Sequence, residues 1–281
     1  MRRLAATLVS LGFAAAALAL PASAADEIPH FPLKDPPRLS WSFAGPFGTW
    51  NKAQLQRGLQ VYTEVCSNCH SMNLVSFRNL SALGYSEAQV AGFAADHQVQ
   101  DGPNDQGEMF KRPGKPNDYF PAPFANEEAA AYANGGAAPP DFSTIAKARA
   151  VESGFPGFIF DVFRMYTTQG PDYVHALLTG YGQKPPKGVA VPSGTYYNPY
   201  FHSAVSLKMP PPLSDGLVKY TDGTPETVDQ YARDVAAFQM WAAEPHMMER
   251  KRTGFVVIIF LIIFTSLIYL TKKAVYSRIE H

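Results

Sequence analysis

Cysteine is almost missing from this sequence: a chain of 281 residues holds two, Cys66 and Cys69. That excludes a disulfide framework, whatever compartment the chain enters. A basic excess is missing too, since 24 Lys and Arg face 24 Asp and Glu. The chain therefore lacks the electrostatic footprint of a nucleic-acid binder. No stretch alternates apolar and polar residues for long enough to propose a β domain, and no internal repeat recurs. Proline, by contrast, is abundant at 24 residues. Much of the chain should therefore be ordered loop, and what regular structure remains should be mainly α.

The two ends differ from the rest. Residues 1–24 open with Arg2 and Arg3, run apolar from Leu4 to Leu20 and close on Ala22-Ser23-Ala24. This is the layout of a secretory signal peptide; a first transmembrane helix is the competing reading, disfavoured by the alanine content and Pro21. From Thr253 to Thr271 the chain is apolar without a single charge, between Glu249-Arg250-Lys251-Arg252 and Lys272-Lys273. As a helix at about 1.5 Å per residue this stretch spans about 28 Å, close to the hydrocarbon thickness of a bilayer. It reads as a membrane anchor over 253–271 with a short tail over 272–281. Lys and Arg are balanced across its flanks, so charge does not set the orientation. The signal peptide does: residues 25–248 form an extracytoplasmic domain, and the C-terminus stays cytoplasmic. The head carries 22 acidic residues against 16 basic ones, a balance suited to a basic soluble partner.

Helical periodicity appears at both ends of the head. Leu55, Leu59, Tyr62 and Cys66 share one face of a helix opening at Trp50-Asn51, where Gly58 permits close approach of a second helix. Residues 87–98 and 126–133 read as short alanine-rich helices, and 101–125 and 183–216 as loops. The last soluble helix is expected to start at Thr224 as N-cap with Pro225 in the first position. Its apolar face is Val228, Tyr231, Val235, Phe238, Trp241 and Ala242, and Pro245 marks its end. The expected fold is an α domain closed by contact between its first and last helices.

Cys66-Ser67-Asn68-Cys69-His70 carries the chemistry. Two thiols at this spacing can each add to a vinyl group of one porphyrin, and the next residue places an imidazole under the iron: the pattern of c-type haem attachment. A zinc half-site would need further Cys or His at matched spacing, and a redox-active pair a βαβ setting. Neither is present in the sequence, so one covalent haem c is the expected cofactor. A methionine on the iron's other face would close it to ligands and favour electron transfer. The candidates are Met72, Met109, Met165, Met209, Met240, Met247 and Met248. Met72 lies too close to His70. Met240 belongs to the last helix, and Met247 and Met248 to the membrane border. Met209 sits in a loop stiffened by Pro210-Pro211-Pro212, which suits a fixed ligand. His97, His175 and His202 are weaker alternatives. A haem peroxidase or a haem sensor would keep the sixth position open.

Beyond the haem motif, RGLQVYTEVCSNCHSM (57–72), VQDGPNDQGEMFKRPGKPNDYFPAPF (99–124), NGGAAPPDFSTIAKAR (134–149), DYVHALLTGY (172–181), KMPPPL (208–213) and WAAEPHMMERKR (241–252) follow in order. Together they make the sequence resemble the cytochrome c1 family, the haem subunits of ubiquinol–cytochrome c reductase, in its bacterial form. The resemblance implies a class I c-type cytochrome fold with long ordered loops and one C-terminal transmembrane helix. It implies Cys66 and Cys69 as haem anchors, His70 and Met209 as axial ligands, and a carbonyl at Pro139 or Pro140 orienting His70. Arg149 is implied as a partner for a haem propionate. It further implies an electron-transfer subunit that is not an enzyme on its own, working with cytochrome b in a respiratory or photosynthetic chain. Such a subunit takes electrons from a Rieske iron–sulfur protein and hands them to a c-type cytochrome. The acids of 96–128 (Asp96, Asp101, Asp105, Glu108, Asp118, Glu127, Glu128) would then form a docking surface. Residues 150–171 exceed the mitochondrial pattern, and their aromatics are expected to make a packed flap or a subunit contact.

Overall fold

The computed structural model describes residues 31–151 and 154–277; the signal-peptide expectation and the last four residues lie outside them. The first helix, α1, runs Lys52–Glu64, with the Asn51 side chain accepting a hydrogen bond from Gln54 N as its N-cap. Its buried stripe of Leu55, Gly58, Leu59, Val61 and Tyr62 is the face that the periodicity marks. Short 3₁₀ turns follow at Cys66–Asn68 and Phe77–Leu83. Helix α2 (Glu87–Ala95) opens on a capping box between Ser86 and Gln89. Then come α3 (Glu127–Ala133), α4 (Ile145–Ala148), α5 (Gly157–Phe163) and α6 (Gln169–Thr179).

Helix α7 runs Val228–Ala243 and α8 runs Met247–Tyr276. Among the described residues the strands form two antiparallel ribbons, β1 (Gln98–Asp101) with β2 (Phe110–Pro113) and β3 (Tyr196–Tyr197) with β4 (Ser206–Leu207). β2, β3 and β4 lie in segments that the sequence reading leaves as loop, whereas β1 begins at Gln98, where it expects a helix to end.

Closure of the domain rests on α1 crossing α7. A Cβ built on Gly58 would lie 2.2 Å from Asp234 O and 2.6 Å from Phe238 Cβ, so the two backbones meet where only glycine fits. Tyr62, Tyr231, Phe238 and Trp241 fill the core around the crossing. Asp234, fully buried, accepts from Arg57 Nε at 2.8 Å, Tyr220 OH at 3.0 Å and Gln230 Nε2 at 2.9 Å. Removing that carboxylate leaves the largely buried Arg57 guanidinium with only the more exposed Asp222, at 2.7 Å, and takes the acceptor from Tyr220 and Gln230. Asp234→Ala is expected to cost about 2–3 kcal/mol through the partners it leaves unsatisfied; denaturant unfolding of the detergent-solubilised chain measures it, and a loss under about 1 kcal/mol would remove the pair from the account.

The start of α7 differs from the sequence expectation. Thr227, not Thr224, is the N-cap, accepting from Gln230 N at 3.3 Å. The intervening Glu226 is already committed to the preceding loop: its carboxylate takes Tyr220 N and Lys219 Nζ, and its carbonyl takes Gly216 N. Asp215 Oδ1 supplies a further acceptor for Val228 N at 2.7 Å. Tertiary bonds thus delay the helix by one turn.

Pro245 separates α7 from α8 as expected. From Phe255 to Leu270 α8 is exposed and predominantly apolar, and α8 is long and apolar enough to cross a membrane. Its first turns are tied to the head. Glu244 pairs with Lys147 and with Arg250 Nη2. Lys251, buried, donates from Nζ to Phe43 O at 2.6 Å and to Gly48 O at 3.1 Å.

Candidate haem site

The Cys66–His70 segment leaves α1 as a tight turn held by several hydrogen bonds. Cys69 N and His70 N both donate to Cys66 O, at 3.1 and 2.9 Å. Ser67 Oγ donates back to Thr63 O at 2.7 Å, and Tyr62 OH to His70 O at 3.2 Å. Both thiols are free, Cys66 half-buried and Cys69 exposed. Burial, with Cys69 nearby, pushes the Cys66 thiol up to about 12. A redox-active cysteine at position 66 would need the opposite shift. Among the described residues no three His, Cys, Asp or Glu side chains converge as metal ligands, which leaves the zinc alternative without a ligand set.

His70 is buried and oriented. Its Nδ1 lies 2.8 Å from Pro140 O; a carbonyl only accepts, so Nδ1 carries the proton and Nε2 keeps its lone pair. The ring stacks on Phe142 with centroids 4.1 Å apart. Burial lowers the imidazole's proton affinity, with the Pro140 and Asp141 contacts opposing, so the neutral, ligand-competent form prevails at neutral pH.

The carbonyl is itself held by an arrangement that the sequence reading overlooks. Asp141 Oδ2 takes Ser71 Oγ and Asn73 N, both at 2.8 Å, while Oδ1 takes Ser143 N at 2.7 Å. Phe142 N donates to Ser71 O at 2.8 Å and Ser143 Oγ accepts from Leu74 N at 3.0 Å. Segments 71–74 and 140–143 are thereby laced together around the imidazole. The visible signal was the Pro-Pro-Asp-Phe-Ser run, in which a short carboxylate follows two stiff residues.

Met209 is half-buried and lies just past β4. Tyr181 OH donates to Met209 O at 3.1 Å, so the backbone is held by a tyrosine on one side and by three prolines on the other. Of the competing thioethers, Met72, Met240 and Met247 are core residues and Met109 is exposed. The competing imidazoles are engaged as well. His97 Nδ1 bonds Phe93 O, and His175 Nε2 bonds Asp229.

Arg149 joins a separate cluster. Its Nη1 donates to His202 Nε2 at 2.5 Å, and His202 Nδ1 in turn meets Tyr173 OH at 2.9 Å. Arginine only donates, so His202 is the neutral Nδ1–H tautomer. Helix α6 and the residues after it thus present Tyr173 to the Arg149 cluster and Tyr181 to Met209.

These residues suit a c-type haem: two unpaired thiols on a pinned turn, one neutral imidazole with Nε2 left over, and a thioether on an immobilised loop. Known proteins agree. The family model for the Cytochrome C1 family matches residues 41–279. A "Cytochrome b/c1" of Bradyrhizobium diazoefficiens is 59% identical over 245 residues, 86% of this chain but only 36% of that longer protein. The cytochrome c1 of Blastochloris viridis is 46% identical over 277 residues, covering 97% of this chain and 95% of its own length. A mitochondrial cytochrome c1 heme protein of Solanum tuberosum is 45% identical over 270 residues, 96% of this chain and 91% of that one. With that breadth of match over a mainly helical head and one long apolar C-terminal helix, the chain belongs to the cytochrome C1 family, the haem subunits that serve electron transport in bc1 complexes.

Proposed function

We propose that this chain holds one haem c through Cys66 and Cys69, with His70 and Met209 as axial ligands, and relays single electrons outside the cytoplasmic membrane. The donor is a Rieske iron–sulfur protein, the acceptor a c-type cytochrome, and cytochrome b the membrane partner. The observation that carries the reading is the His70 Nδ1–Pro140 O bond, because it fixes tautomer and ring plane together. When bound, the haem supplies a one-electron iron couple.

The chain's own residues do the rest. Pro140 O, braced by Asp141, keeps His70 Nε2 aimed and raises its basicity. Phe142 stacks on the imidazole, and Tyr62 ties the His70 carbonyl to the helix crossing. Met209, held by Tyr181 and Pro210–Pro212, supplies a soft sulfur that favours the reduced state. Arg149, bonded to the half-buried His202 beside the buried Tyr173, offers the family's propionate partner. Helix α8 anchors the assembly, with residues 25–248 on the periplasmic side and 272–281 in the cytoplasm. Quinol chemistry belongs to the partner subunits, so the chain is not an enzyme on its own. A reduced holoprotein whose spectrum does not change under carbon monoxide supports this reading; rapid ligand binding would point instead to a peroxidase or a sensor.

The acidic segment gains detail from the structure. Asp101 and Asp118 are both paired with Arg112, so they contribute little field to a partner. Asp96, Asp105, Glu108, Glu127 and Glu128 are exposed and are proposed as the docking charges. Reversing Asp105, Glu108, Glu127 and Glu128 to Lys is expected to slow second-order reduction of a basic cytochrome c by about 10-fold or more at low salt and to flatten the salt dependence. Stopped-flow rates across ionic strength read both effects. An unaltered salt slope would move the docking surface elsewhere.

A further inference from the structure

Helix α5 is built inside out. Phe155, just before it, and Phe158, Ile159, Phe160, Val162 and Phe163 on it are all exposed, Phe155 by 85% and Phe163 by 71%. The one charged side chain of α5, Asp161, is buried instead, accepting from Gln169 Nε2 at 3.0 Å. Met165 and Tyr166, both left-handed at φ 58° and 54°, turn the chain back directly afterwards. The expectation of a packed flap therefore does not hold within this chain: the aromatics point away from its core. In water so many contiguous rings are a standing cost, and soluble surfaces usually break up such patches.

What adjoins the patch identifies what covers it. Gly45 N donates to Arg164 O at 3.4 Å, joining the end of α5 to the loop that precedes α1. Two residues further, Phe47 is 80% exposed and its ring meets that of Phe255 edge-on, centroids 6.1 Å apart. Phe255 opens the apolar, outward-facing run of α8. Lys251 fastens the same loop to the top of α8 through Phe43 O and Gly48 O. One short loop, tied at both ends, thus links the exposed rings of α5 to the first apolar turn of the anchor.

We propose that α5 is a second membrane contact: its aromatic face, with Phe47, seats in the interfacial layer of the leaflet at the head end of α8 and takes bilayer phospholipid as its partner. Continuity with the lipid-facing helix, wealth of aromatic rings and absence of charge on the outward face all favour lipid over a protein surface. The inference rests on α8 spanning the bilayer. It gives the head two attachments, α8 and α5, and so restricts its tilt over the membrane.

Photocrosslinking tests this with the full chain in its own membrane. Phe160→benzoylphenylalanine and Phe163→benzoylphenylalanine are irradiated beside Phe255→benzoylphenylalanine, expected within lipid, and Tyr132→benzoylphenylalanine, which projects from the head with 93% exposure. The expected result is a mass gain of one phospholipid at 160, 163 and 255, and none at 132. A protein adduct at 160 and 163, or no adduct there while 255 takes lipid, overturns the proposal. Failure at 255 as well would overturn the anchor itself.

Discussion

Met209→Leu is expected to lower the haem midpoint potential by on the order of a few hundred mV, within the roughly 0.8 V over which axial ligation moves haem potentials. Leucine matches methionine in volume and apolar character, so packing changes little. The Tyr181 OH contact goes to the backbone carbonyl of residue 209 and survives the change, as do the three prolines. Only the sulfur is lost. Covalent attachment at Cys66 and Cys69 should persist, while turnover from quinol to cytochrome c should collapse because the lowered potential opposes reduction. Redox titration of membranes measures the first effect and cytochrome c reduction the second. A retained potential would remove Met209 from the iron, and the remaining thioethers are poor substitutes, with Met72, Met240 and Met247 all in the core.

The largest structural effect is expected at Gly58. A β-carbon there has nowhere to go, with Asp234 O at 2.2 Å and Phe238 Cβ at 2.6 Å. The near obstacles are backbone and a helix-borne Cβ, neither of which swings aside, so α1 and α7 must part. Gly58→Ala gains about 1 kcal/mol of helix propensity and should still destabilise. Gly58→Val adds a branched side chain to the same clash and should cost about 3 kcal/mol or more. Parting the helices also loosens Tyr62, whose hydroxyl holds the His70 carbonyl. The yield of haem-loaded protein should therefore fall along with the unfolding midpoint. Unchanged stability in Gly58→Val would mean that the crossing is looser than the geometry shows.

Where a reading depends on local periodicity, the sequence carried it well. Leu55, Leu59 and Tyr62 on α1, and Tyr231, Val235, Phe238 and Trp241 on α7, all lie in the core, and the glycine between the leucines of α1 marks the crossing. Where the deciding partner is distant along the chain, the sequence was silent or misleading. Thr224-Pro225-Glu226 looks like a helix start, yet Tyr220, Lys219 and Gly216 claim Glu226 first. The ribbons β1–β2 and β3–β4 are too short to show alternation. Residues 155–163 have core composition, but no periodic polar face tells which way the rings turn; the clue was the single acid Asp161. At the site, the residues proposed to hold the haem stand out through spacing and proline context. Asp141, which laces the His70 carbonyl loop, does not, because its hydrogen bonds reach back some 68 to 70 residues.

The account's central claim is a porphyrin joined to this polypeptide by two thioether bonds. Protease mapping of the holoprotein by mass spectrometry tests it directly. The peptide containing Cys66, Cys69 and His70 should carry the mass of one haem through acid and organic solvent, with neither thiol open to alkylation. Two alkylatable cysteines, or a disulfide between them in a colourless peptide, would contradict the account.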